Sequence, residues 1–245
     1  MKIKMIRRLL VCFCASSAFL LQSASADLVH SYLLDGNFDD EFLGPSLIPA
    51  GEGVFTSGGY QFAAGQGLSL SGALSNPAEY SLLIDFSFSE LGGYRKIVDF
   101  GNLSVDDGVY AFSTAFEAFS PLSYETGPFD DLTEDMLVRL VITRDAAGIF
   151  SLYVNGNLRF SIEDSGGSFV FSGDDAIIRF FQDDATTGGE EVSAGLVKTI
   201  RVYDTVLTEE EVSSLGPVPE PSTAVLFGIA GAAFLSLVRN YRPRS

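Results

Sequence analysis

The chain has 245 residues, with 15 Lys and Arg against 32 Asp and Glu, a net charge of −17 and one histidine. That balance excludes nucleic acid as a partner, because phosphate binding depends on Lys and Arg displacing counterions. With His30 alone, and cysteines only at Cys12 and Cys14, no Ser-His-Asp or Cys-His nucleophile and no His-based metal cluster is expected.

The N-terminus carries Lys2, Lys4, Arg7 and Arg8 and no acid, then an apolar run from Leu9 to about Leu21, then Ala24-Ser25-Ala26. These are the three parts of a cleavable secretory signal over residues 1–26, cut before Asp27. The apolar run is short for an anchor helix of about 20 residues. Cys12 and Cys14 leave with the signal, and Val11 and Phe13 before them are not the small residues that a lipidation site needs. Residues 27–216 therefore carry no cysteine and no disulfide. Their stability rests on packing, with a metal as the one candidate staple.

From Asp27 to about Val206 the chain is short apolar stretches of period 2 separated by Gly, Asn, Asp and Ser. No helical period lasts three turns, so the pattern predicts an all-β fold, a two-sheet antiparallel jelly-roll sandwich. Phe at 21 copies, with no Trp, predicts a phenylalanine core. Strands are expected at Tyr80–Phe88, Lys96–Phe100, Val109–Thr114, Val138–Arg144, Ala176–Phe181 and Val197–Tyr203. The sharpest local signal is Phe150–Val154, then Asn155-Gly156, then Asn157–Ile162. Asn-Gly accepts the positive φ angles of a type I′ hairpin turn. On this reading Phe150, Leu152 and Val154 share one face, and Leu158, Phe160 and Ile162 share the matching face of the partner strand. One short helix closes the domain: Thr208 and Glu211 form a capping box, Val212 and Leu215 face inward, and Gly216 ends the helix.

The tail, 217–245, reads Pro217-Val218-Pro219-Glu220-Pro221-Ser222, an uncharged stretch over 223–238, then Arg239, Arg242 and Arg244. At about 1.5 Å per residue the stretch covers about 24 Å as a helix, short of a hydrocarbon core of about 30 Å. The arginines beyond it are expected to stay cytoplasmic. The segment resembles the PEP-CTERM sorting signal of Gram-negative bacteria, with Pro219, Glu220 and Pro221 as its motif. The resemblance implies transient residence in the inner membrane, processing by an exosortase-type protease, and delivery to the cell envelope, outer surface or extracellular matrix. A plain membrane anchor is the alternative.

Between the two ends, residues 28–216 resemble the LamG-like, concanavalin A-like lectin/glucanase jelly rolls. The matching pieces are His30-Ser31-Tyr32-Leu33-Leu34-Asp35-Gly36-Asn37 as the opening strand and turn, Tyr80–Phe88 as an inner strand, Leu137–Arg144 with the Leu152–Gly156 turn, and Ile200–Tyr203 with the closing helix. Two positions depart from that pattern. Asp135-Met136-Leu137 stands where the family commonly has Trp-His, and Lys198 where it often has an acid, which weakens a family calcium site. The family's glucanases carry Glu-x-Asp-x-x-Glu along one strand, and no such string occurs here. The acids lie instead in turn-like clusters: Asp39-Asp40-Glu41, Asp106-Asp107, Asp130-Asp131, Asp174-Asp175, Asp183-Asp184 and Glu190-Glu191. Solvation in such turns should keep them ionised, which argues against general-acid catalysis.

The expectation is thus an exported, non-catalytic protein that binds glycan or acts structurally within extracellular polysaccharide. A protein-binding adhesion module and a glycoside hydrolase are the rivals. Calcium is the candidate cofactor, on Asp35, Asn37, Asp183 and Asp184, since loops readily supply its oxygen ligands; a solvated acidic surface accounts for the same residues. Tyr94, Tyr110 and Tyr124 are the candidate glycan platform in the absence of Trp, and ordinary core or surface tyrosines are the alternative.

Overall fold

A computed structural model describes residues 26–173 and 175–219. Of the expected secretory signal all but Ala26 lies outside the described residues, as do Glu220, Pro221 and the apolar stretch 223–238, and Pro219 is exposed at their edge. No helix among the described residues is long and apolar enough to cross a membrane.

The strands run in chain order as β1 (Leu28–Tyr32), β2 (Ile48–Ala50), β3 (Val54–Thr56), β4 (Gly59–Phe62), β5 (Gly67–Leu70), β6 (Tyr80–Phe88), β7 (Tyr94–Asp99) and β8 (Gly108–Phe112). They continue as β9 (Ala115–Ser120), β10 (Ser123–Thr126), β11 (Val138–Arg144), β12 (Ile149–Val154), β13 (Asn157–Glu163), β14 (Ile178–Phe180) and β15 (Gly195–Tyr203), before helix α1 (Glu209–Leu215). One sheet is ordered β13-β12-β11-β6-β15-β4-β3, with β1 also on β15; the other is β10-β9-β8-β7-β14-β5-β2. Every pairing is antiparallel. The result is an all-β two-sheet sandwich with one short helix, consistent with a jelly roll.

The core between the sheets is built on phenylalanine. Phe62, Phe86, Phe88, Phe116 and Phe181 form one ring cluster, and Phe100, Phe150, Phe169 and Phe171 another. Each fully buried ring contributes on the order of 1.5–3 kcal/mol.

Local chemistry trims the expected strands. Val109–Thr114 ends early because Ser113, at φ 55°, turns the chain into β9. Ala176–Phe181 shrinks to β14 because Ala176 (φ 45°) and Phe181 (φ 61°) are both left-handed. At the hairpin, Asn155 (φ 51°) and Gly156 (φ 84°) take the conformation that the turn requires. Phe150, Leu152 and Val154 are buried in the core, but Leu158 is 43% exposed and does not share the face of Phe160. The register slips between the pairs Leu152↔Phe160 and Tyr153↔Leu158, so the bulge puts Leu158 outside with Tyr153. Arg159, the extra residue, reaches Asp131 with two hydrogen bonds of 2.6 Å.

Helix α1 begins with the expected capping box: Glu211 N donates to Thr208 Oγ1 (3.2 Å), and Thr208 N donates to Glu211 Oε2 (2.8 Å). Val212 and Leu215 then pack with Leu83, Val141, Tyr153 and Tyr203 on the outer face of the first sheet. That face is covered. Among the described residues no helix covers the outer face of the second sheet, which holds the candidate site.

Candidate functional site on the open face of the second sheet

Strand register decides which side chains share this face. Tyr94 lies opposite Phe112, and Lys96 opposite Tyr110. Tyr110 lies opposite Glu117, and Phe119 opposite Tyr124. Because strand side chains alternate, all of these project from the side away from the core. The rings form a chain across the strands. Tyr94 stacks on Phe112 at 4.6 Å and meets Tyr110 edge-on at 5.9 Å, and Tyr110 meets Phe119 at 6.4 Å.

The three tyrosines singled out from sequence therefore lie on one face, in different roles. Tyr94 and Tyr124, 37% and 70% exposed, present surface to solvent. Tyr110, 1% exposed, is the floor: its hydroxyl donates to Asp106 Oδ1 at 2.9 Å, and its ring face lies against Lys96 Nζ at 5.0 Å. Burial, then the nearby Asp106 and Glu191 carboxylates, pushes the Tyr110 hydroxyl far up, so it stays protonated. Phe112 and Phe119 escaped the sequence reading. Their alternation along β8 and β9 was the available signal, but β9 itself was not foreseen.

Tyr94, Asp106, Tyr110, Phe119 and Glu191 line a cleft of about 110 Å³. An adjoining groove of about 310 Å³ shares Tyr94 and Glu191 and extends past Arg95 and Thr187. A larger groove, of about 530 Å³, lies beside Ser113 and Asp130, but no aromatic ring lines it.

Not all of the clustered acids are the solvated carboxylates expected of turns. In three of the clusters one acid folds inward and accepts backbone amides. Asp40 takes Ser31 N and Gly44 N, Asp107 takes Phe100 N and Gly101 N, and Asp184 takes Thr186 N. Asp40 also binds His30 Nδ1 at 2.7 Å, which makes that histidine a structural partner. Burial, then the charge of Asp99, pushes the Asp107 carboxyl up to about 6 despite its two amide donors. Burial, then Asp183 and Asp106, pushes Glu191 up to about 7, and Lys96 offsets this only in part. Glu191 Oε2 is buried with no hydrogen-bond partner. The premise that no acid here has a raised pKa is thus overturned for Glu191, Asp107 and Asp99, because burial costs the charged form its hydration.

Beneath the cleft lies Lys96, fully buried. Its Nζ hydrogen-bonds Asp184 Oδ2, and lies 3.5 Å from Asp99 Oδ2 and 3.8 Å from Asp183 Oδ1. Burial disfavours its charge, but Asp184, Asp99 and Asp183 together outweigh that and hold its pKa above the ordinary lysine value. Asp184, conversely, is held below the usual carboxylate range: burial opposes this, and Lys96 and Thr186 overcome it.

This arrangement does not fit the calcium site anticipated from sequence. Asp183 and Asp184 face Lys96 as their cation, and Asp183 Oδ2 also accepts Glu191 N at 3.1 Å. Asp35 and Asn37 lie in an exposed turn where Asn37 Oδ1 accepts Asp39 N. Among the described residues, no group of three or more His, Cys, Asp or Glu could hold a metal ion.

The comparisons with known proteins agree with an antiparallel two-sheet sandwich of jelly-roll type. The Laminin_G_3 family model, described as the concanavalin A-like lectin/glucanases superfamily, matches residues 100–213. Among solved structures, the chain is similar to domain 4 of AbnA, a GH43 extracellular arabinanase from Geobacillus stearothermophilus, in complex with arabinotriose. The TM-score is 0.62 at 17% identity, over 79% of this chain and 100% of that one. It is also similar to the botulinum neurotoxin serotype D binding domain (TM-score 0.58, 14% identity, 77% of this chain and 51% of that one). A Trypanosoma rangeli sialidase mutant displaying trans-sialidase activity follows at TM-score 0.60 and 15% identity, over 77% of this chain but 32% of the sialidase. No curated protein matches the sequence.

Proposed function

We propose that this is a non-catalytic glycan-binding protein, exported and sorted to the cell surface or matrix, which binds saccharide on the open face of its second sheet. The observation that carries the reading is the ring chain Tyr94–Tyr110–Phe119 with Tyr124 beside it, bordered by Asp106 and Glu191. The C–H faces of a sugar ring pack on aromatic faces, and its hydroxyls donate to carboxylates. Rings with a few convergent polar groups are the usual make-up of a ligand cleft. The likeness to an arabinanase domain in complex with arabinotriose supports the same class of ligand. A glycan array followed by calorimetry tests it: binding should weaken in Tyr94→Ala and Tyr124→Ala, and an array with no hits on folded protein overturns it.

Export and sorting rest on Ala24-Ser25-Ala26 and on Pro219-Glu220-Pro221 with the apolar stretch and arginines behind it. An exosortase-type protease and extracellular polysaccharide are the partners this reading names. The secreted protein should start at Asp27 and lack residues beyond about Ser222; an intact Arg244-Ser245 end sinks the processing step.

One observation favours a second reading, glycoside hydrolysis. Glu191, raised to about 7 beside Asp106 in a ring-lined cleft, has the protonation that a general acid needs. Reducing-sugar release that disappears in Glu191→Gln would establish it in place of pure binding.

A further inference from the structure

Lys96, Asp99, Asp183 and Asp184 form a charge cluster that glycan binding does not use. The ammonium and the Asp99 carboxyl are fully buried, and so is the Asp184 side chain. One cation faces three carboxyls out of reach of water, in contacts held by the fold. Asp183 Oδ1 has no hydrogen-bond partner at all.

We propose that Lys96 and Asp184 join in an intramolecular isopeptide bond, formed by the folded domain itself. The nucleophile is in place, because Lys96 Nζ already hydrogen-bonds Asp184 Oδ2, and a held contact of this kind removes the entropy cost of bringing the groups together. Nζ passes one ammonium proton to Oδ2, turning the ion pair into a neutral amine and a neutral acid. The Nζ lone pair then adds to Asp184 Cγ. The tetrahedral centre collapses as a second Nζ proton moves to Oδ2, which departs as water. The Nζ–Cγ bond forms and the Cγ–Oδ2 bond breaks; nothing is oxidised or reduced, and no co-reactant is required.

Two neighbours serve the step. Thr186 N donates to Asp184 Oδ1 at 2.6 Å, and Oδ1 is the oxygen that carries the developing negative charge and remains as the amide carbonyl. Asp99 Oδ2, 3.5 Å from Nζ, is the proton relay. Burial raises its carboxyl, more than Leu103 N–H and Lys96 lower it, so it can hold the proton that it passes on. The Tyr110 ring covers Nζ and keeps out the water that would reverse the reaction. The bond would tie β7 to the 181–194 loop across 88 residues of sequence. In a domain, residues 27–216, that contains no cysteine, it supplies the covalent staple that a disulfide supplies elsewhere.

The test reads the secreted protein directly. After its termini are mapped, the denatured chain should weigh one water less than its sequence. Trypsin should fail to cut after Lys96 and should leave residues 96–139 joined to residues 180–198. A chain of full sequence mass cut after Lys96 overturns the proposal. So does a water loss confined to residues 180–198, which would be a cyclised aspartate. Lys96→Ala should restore the full mass; the wild-type digest decides the matter even if that variant does not fold. Asp99→Asn should leave a large unlinked fraction, and complete linkage in that variant overturns the relay.

Discussion

Replacing Asp85 with alanine isolates a contact on the covered face of the first sheet. Asp85 on β6 accepts two hydrogen bonds from Arg139 on β11, Nε to Oδ1 at 2.8 Å and Nη2 to Oδ2 at 2.7 Å. The third arm of the same guanidinium donates to Leu215 O at the end of α1, at 2.7 Å. The side chains are 10% and 3% exposed, so Asp85→Ala strands a charge that water reaches poorly. Breaking one side of such a pair costs about 3–5 kcal/mol, a large share of a typical domain stability of about 5–15 kcal/mol. At about 2–4 °C per kcal/mol for a domain of this size, the melting temperature should fall by about 6–20 °C. Urea unfolding, monitored by circular dichroism, measures the loss. The companion variant Asp85→Leu with Arg139→Met should recover most of it, because removing both charges also removes the stranded one. A loss under about 1 kcal/mol in the single variant, or a double variant no better than the single, would refute the reasoning.

Gly156→Val should cost about 1–3 kcal/mol in the same assay: it forces a β-branched residue to φ 84° and puts a Cβ 3.2 Å from Ser213 O at the helix end. Glu191 and Asp107 have folded pKa values above their ordinary ones, so the folded state holds their protons more tightly. Their contribution is complete below the unfolded values and is lost as pH rises toward about 6 for Asp107 and about 7 for Glu191. Stability should therefore fall from about pH 4 to about pH 7, and Glu191→Gln should flatten the upper part of that fall; an unchanged profile removes Glu191 as its source. Tyr94→Ala should weaken saccharide binding by about 1 kcal/mol, roughly fivefold in Kd by calorimetry. Calcium at millimolar level should leave the melting temperature unmoved, and a concentration-dependent rise would restore a metal site.

The parts legible in the sequence were those set by neighbouring residues. Alternation marked Tyr80–Phe88 and Val138–Arg144, Asn155-Gly156 marked the hairpin, and Thr208 with Glu211 marked the helix start, because each depends on contacts within a few positions. The short strands β2 to β5 left no such mark, since three or four residues with Pro49 and glycines among them hold no period; β3 and β4 pair locally, but distant partners set their places in the sheets, β4 on β15 and β5 on β14. The bulge that turns Leu158 outward is likewise a property of two strands together. The same division governs the site. The sequence could nominate Tyr94, Tyr110 and Tyr124, but sheet register alone placed them on one face, with Phe112 and Phe119 between, and made Tyr110 a buried floor. It also showed Asp183-Asp184 as an acidic doublet in a turn, with nothing to place Lys96, 88 positions earlier than Asp184, as its counter-ion. Charge in a sequence is additive, whereas the ionisation of Glu191 or Asp107 depends on how much water the fold leaves around it, and that is decided only when the loops close over the sheet.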